Sequence, residues 1–123
     1  MYEKIVLPNG ARIVYEHMEG VRSASLGIWV GAGSRYEKYG EAGSAHFIEH
    51  MLFKGTSEYS AAQLAERMDA VGGQMNAYTT RDNTCFYSNH KKSSLHIVLL
   101  FSGTLIKQKI KRPSLSSFFY LHQ

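Results

Sequence analysis

His46-Phe47-Ile48-Glu49-His50 sets two histidines four residues apart, with a glutamate just ahead of the second. An α-helix advances about 100° per residue, so the two imidazoles would lie roughly 40° apart on one face. Glu49 would lie roughly 60° to the other side of His46, where its carboxylate can share the space the rings face. Phe47, Ile48, Met51 and Leu52 fall mainly on the remaining surface and are expected to pack against a core. Zinc takes such a set, with two neutral imidazoles as ligands and a carboxylate nearby to accept a proton from water on the ion. The competing reading is structural. Most histidines on helices ligate nothing, and a pair four apart also arises by chance in a chain with six histidines.

The flanking sequence supplies the surrounding elements. The helix is expected to start near Ser44, a good N-cap, and to stop before Gly55. Ser60-Ala61-Ala62-Gln63 has the form of a capping box, and Leu64, Met68 and Val71 make one apolar stripe of a second helix that Gly72-Gly73 ends. Upstream, Pro8-Asn9-Gly10 separates Ile5-Val6-Leu7 from Ala11–Glu16 and predicts a hairpin. Ser23 to Val30 alternates, with Ala24, Leu26, Ile28 and Val30 on one face. Downstream, Gln74 to Thr80 and Thr84 to Asn89 read as two strands about an Arg81-Asp82-Asn83 turn. These elements predict an α+β fold, a mostly antiparallel sheet with helices packed on one face.

H-x-x-E-H is the inverted zinc-peptidase motif. Around it stand Gly33-Ser34-Arg35-Tyr36-Glu37, Met51-Leu52-Phe53-Lys54-Gly55-Thr56 and Gly72-Gly73-Gln74-Met75-Asn76-Ala77-Tyr78-Thr79. Together these motifs resemble the pitrilysin/insulinase family of zinc metallopeptidases, and most closely its mitochondrial processing peptidase and bacterial processing-peptidase-like branch. The resemblance runs from about Ile5 to about His90. It implies zinc on His46 and His50, with Glu49 as the catalytic proton acceptor. It also implies a peptide substrate held along the strand at Asn76 and Ala77, and a second homologous half or subunit closing over it. Read from the residues alone, Asn76 more simply completes a local hydrogen bond.

Composition bounds the rest. The chain has 123 residues and 44% hydrophobic content, enough for one small domain or part of a larger one and against wholesale disorder. The lone cysteine, Cys85, excludes an internal disulfide and fits a reducing compartment at a half-buried strand position. With no signal peptide ahead of the first strand, the expected location is cytoplasmic. No apolar run is long enough for a membrane span. The net charge of +4 belongs to the tail: residues 1–90 hold eight Lys/Arg against ten Asp/Glu, and residues 91–123 hold six Lys/Arg and no acid. A nucleic-acid role is therefore not expected.

Residues 1–90 read as the N-terminal part of a zinc-peptidase domain, and residues 91–123 as a divergent apolar and basic tail of truncated or frame-shifted origin. The family's third zinc ligand is a glutamate roughly 75 residues beyond the second histidine, which would fall just past Gln123. No Asp or Glu follows Asp82, so the expectation is an incomplete site lacking that ligand, with His90 or His96 as substitutes in principle. Two functions follow. One is a zinc metalloendopeptidase-type protein; the other is a catalytically silent remnant or a subunit that binds peptides or a partner through its sheet.

Overall fold

The protein is described by a computed structural model that covers residues 1–94 and the backbone of 117–122. His96 and most of the expected tail lie outside the described residues. Gly10 (φ 82°) closes the predicted hairpin turn in the left-handed region, where the Leu7 N–H donates to the Ala11 carbonyl at 2.8 Å. Strands β1 (Tyr2–Val6) and β2 (Arg12–Glu16) flank it, with Val6 opposite Arg12. Then come β3 (Ser23–Val30), helix α1 (Ser44–Leu52), helix α2 (Ala61–Ala70), β4 (Gln74–Thr79), β5 (Thr84–Lys91) and β6 (Ser117–His122). The sheet order is β1-β2-β6-β3-β5-β4. Every pairing is antiparallel except β2 with β6.

Alternation in β3 places its apolar residues as expected. Ala24, Leu26, Ile28 and Val30 are all buried, and they pair in register with His90, Ser88, Phe86 and Thr84 of β5. Both helices lie against the β4–β5 end of the sheet. Leu52 of α1 and Leu64 of α2 form a buried core against Tyr59, Met75 and Phe86. The capping box of α2 is present in full: Ser60 accepts from the Gln63 N–H at 3.3 Å, and the Gln63 side chain accepts from the Ser60 N–H at 2.9 Å.

Two local expectations are corrected. Phe47 and Ile48 are 64% and 44% exposed, while Glu49 is 8% exposed, so α1 docks with its glutamate inward rather than with those apolar residues inward. Cys85 is fully buried instead of half-buried, and burial pushes its thiol above the usual range. Phe118-Phe119-Tyr120, for which no element was expected, lies in a strand inserted between β2 and β3. Its aromatic residues favour strands, but only its long-range partners give that preference an outlet.

Among the described residues, both ring nitrogens of His90 are buried without a hydrogen-bond partner, and burial holds its pKa below the ordinary histidine value. The unfolded chain therefore binds the proton more readily. Stability is full above a pH of about 6.5 and is lost as the pH falls from there toward the lowered folded pKa. Urea unfolding between pH 7.5 and pH 5 should show this loss, and His90→Leu should flatten it. An equal slope in the variant would contradict the assignment.

Candidate metal centre

Helix α1 begins one residue earlier than a Ser44 cap would require. The N-cap is Gly43 at φ 88°, which has no side chain to offer. Ser44 instead donates its hydroxyl to the Glu41 carbonyl at 2.5 Å. The capping acceptor comes from outside the helix: Glu37 takes the Gly43 N–H on Oε2 at 2.8 Å and the Ala45 N–H on Oε1 at 2.9 Å. These two donors, Ala45 first, hold the Glu37 carboxyl below the usual carboxylate range.

From this first turn His46 and His50 point together. Their Nε2 atoms are 3.0 Å apart and the rings meet edge to face, with centroids 4.5 Å apart. Without a cation, one Nε2 must carry the proton that the other accepts. Two nitrogens about 2.0–2.1 Å from a tetrahedral zinc stand roughly 3.3 Å apart, so the pair fits two positions of such an ion with little movement. Both side chains are exposed on the helix surface and open to an incoming ion.

Glu49 sits beside them but turned inward. Its Oε2 accepts from the Thr79 hydroxyl at 2.5 Å. Thr79 Oγ1 lies 3.3 Å from Thr84 Oγ1, and Thr84 in turn donates to the Ala32 carbonyl at 2.7 Å. A buried carboxylate needs such a donor. The bond leaves Oε1 without a hydrogen-bond partner among the described residues.

Among the described residues, no third protein ligand is assembled: no group of three or more His, Cys, Asp or Glu side chains gathers to hold a metal. His90 is buried on the sheet face under the helices and does not join the pair.

Asn76 and Ala77 lie on β4, one of the two edge strands of the described sheet and the one packed against α1. The Ala77 N–H donates to Asn76 Oδ1 at 2.8 Å, the local bond that the residue-based reading anticipates. A groove of about 600 Å³ runs between α2 and β4, lined by Phe53, Leu64, Met68, Met75, Asn76 and Tyr87 among others.

Sequence alone marks no role for Glu37, Thr79 or Thr84. Glu37 and Thr79 do stand at the ends of two motifs that carry the resemblance, and that is the one signal that could have marked them. No helix among the described residues is long and apolar enough to cross a membrane.

Known zinc proteases resemble this chain over most of its length. An uncharacterized zinc protease of Mycobacterium leprae is 49% identical over 96 residues, 78% of this chain and 22% of its own length. The uncharacterized zinc protease YmxG of Bacillus subtilis is 40% identical over 118 residues, covering 91% of this chain and 29% of its own. A probable mitochondrial-processing peptidase subunit beta of Arabidopsis thaliana is 41% identical over 93 residues, 76% of this chain and 18% of its own. The chain thus spans less than a third of the length of each of these relatives. Among solved structures, a protease from Helicobacter pylori superposes with a TM-score of 0.75 at 27% identity, over 89% of this chain and 26% of that one. The sequence profile described as Insulinase (Peptidase family M16) matches residues 12–117, and with the inverted histidine motif and the α+β sheet in place, the chain belongs to that family.

Proposed function

We propose that this chain carries the metal-binding half of a zinc metalloendopeptidase site, with His46 and His50 as ligands and Glu49 as the proton acceptor. The observation that carries the reading is the 3.0 Å approach of the two Nε2 atoms, one helical residue from a carboxylate with one oxygen left unbonded. The word zinc in the names of the relatives supports the choice of ion. Bound there, zinc would polarise a peptide carbonyl and make water acidic enough to lose a proton near neutral pH. Glu49 takes that proton on Oε1 and passes it to the departing amine, while Thr79 keeps Oε2 and fixes the carboxylate plane.

The substrate in this reading is an extended peptide that adds to the outer edge of β4 beside α1. Such a strand must displace the Asn76 amide from the Ala77 N–H, which makes Asn76 and Ala77 the substrate-binding pair. The groove under α2 then receives side chains of the added strand. A second homologous half or subunit completes the enclosure. The word subunit in the name of the plant relative is the support for that partner.

One observation favours a second reading, a silent subunit that binds peptides or a partner through the same edge. Among the described residues, two imidazoles stand where a catalytic zinc takes three protein ligands.

Zinc titration against a chromophoric chelator tests the site. Wild type is expected to compete for the ion, and His46→Ala is expected to lose at least about tenfold in affinity. Binding that survives the substitution would remove the assigned ligands. Hydrolysis of an unstructured peptide, blocked by chelation and lost in Glu49→Gln, is the expected result of the first reading. Zinc binding without hydrolysis at any zinc concentration would favour the second.

A further inference from the structure

We propose that Glu37 is the positioning residue for His46, holding the first turn of α1 so that the two imidazoles keep their mutual approach. The inference deepens the metal-site reading and rests on it. His46 is the third residue of α1, inside the turn whose N–H groups have no partners within the helix. Nothing in the helix caps that turn, since Gly43 has no side chain and the Ser44 hydroxyl is spent on the Glu41 carbonyl.

One carboxylate does the capping. It bridges the N–H before the helix and the N–H immediately before His46. Glu37 is itself anchored to the sheet. The Ser34 and Arg35 N–H groups donate to the Thr80 and Arg81 carbonyls at 3.2 and 2.9 Å, and the Glu37 N–H closes the same turn on the Ser34 carbonyl at 3.4 Å. A continuous path therefore runs from the β4–β5 turn through Glu37 to the residue next to His46. The same β4 carries Thr79, which holds Glu49.

His50 needs no such help. It lies a full turn further along, within the helix's own hydrogen bonds and two residues from the buried Leu52. Loss of Glu37 should therefore free one ligand and spare the other. Glu37→Gln keeps the shape but turns one acceptor into a donor facing an N–H, which breaks the bridge.

The test uses the full chain and zinc alone. Glu37→Gln and Glu37→Ala are expected to weaken zinc binding by about tenfold or more. With cobalt in place of zinc, their visible spectra should shift toward that of His46→Ala. Glu41→Gln removes a negative charge from the same loop without touching the bridge, because among the described residues its own carboxylate reaches only the Lys38 N–H at 3.4 Å. It should bind within about twofold of wild type, the size of a screened surface charge.

In the metal-free chain, amide exchange in Glu37→Gln should quicken at Ala45 and His46 and stay unchanged from His50 onward. Wild-type affinity and exchange in Glu37→Gln would overturn the proposal. So would an equal loss in Glu41→Gln, which would make the effect one of charge. If zinc binding is absent, or is indifferent to His46→Ala, the ligand assignment itself falls, and that result is distinct from the others.

Discussion

Leu52→Ala is expected to lower the unfolding free energy by about 2–5 kcal/mol, the range for truncating a fully buried leucine. Leu52 is 3% exposed and meets Leu64 of α2 at the centre of the small core, with Tyr59, Met75 and Phe86 around it. The loss combines the transfer of the removed carbons with the cavity they leave, and the neighbours belong to three different elements that cannot all close in. The site should feel the change as well. Leu52 is the last residue of α1 and seats its final turn on the sheet, two residues beyond His50. Zinc affinity is expected to fall together with stability. Urea unfolding of wild type and variant measures the first effect, and a loss under about 1 kcal/mol would mean that α1 is not seated as described.

Gly33→Ala comes next, with an expected cost of about 3 kcal/mol. A Cβ at position 33 would stand 2.5 Å from both the Thr80 and the Arg81 carbonyl oxygens. These are backbone atoms, so no rotamer change relieves the clash. Retreat is blocked by what the approach provides, since the same two carbonyls accept from the Ser34 and Arg35 N–H groups. The methyl must break those bonds and disturb the exposed Arg35–Asp82 ion pair at 2.8 Å. Gly40 is the control. An added Cβ there meets nothing within 4 Å, and the substitution costs only the strain of its φ of 88°, about 1 kcal/mol. Thermal unfolding of the two variants should show Gly33→Ala well below Gly40→Ala. Equal midpoints would mean that the loop does not press on the β4–β5 turn.

Both variants bear on how far the chain could be read before its structure. The hairpin at Asn9-Gly10, the alternation of β3, the capping box at Ser60 and the histidine helix are local patterns. Each depends on residues within one or two turns of one another, and each appears where the pattern puts it. The inward turn of Glu49 and the exposure of Phe47 were not legible. A helix wheel gives angles between side chains but not the rotation at which the helix docks. That rotation is decided by the Thr79 hydroxyl, 30 residues away in sequence, and by Leu64. The cap of α1 failed for the same reason. Ser44 has the right chemistry locally, but Glu37 reaches the free N–H groups from a separate turn.

Taken alone, the order of residues determined the family, the α+β class, and the placement of two imidazoles and a carboxylate on one helical turn, because spacing along a helix fixes direction. The tertiary structure decided which side of that helix faces the sheet, which distant groups hold its first turn and its glutamate, and that residues 117–122 form a strand within the sheet. These depend on contacts between segments remote in sequence, and no local period records them.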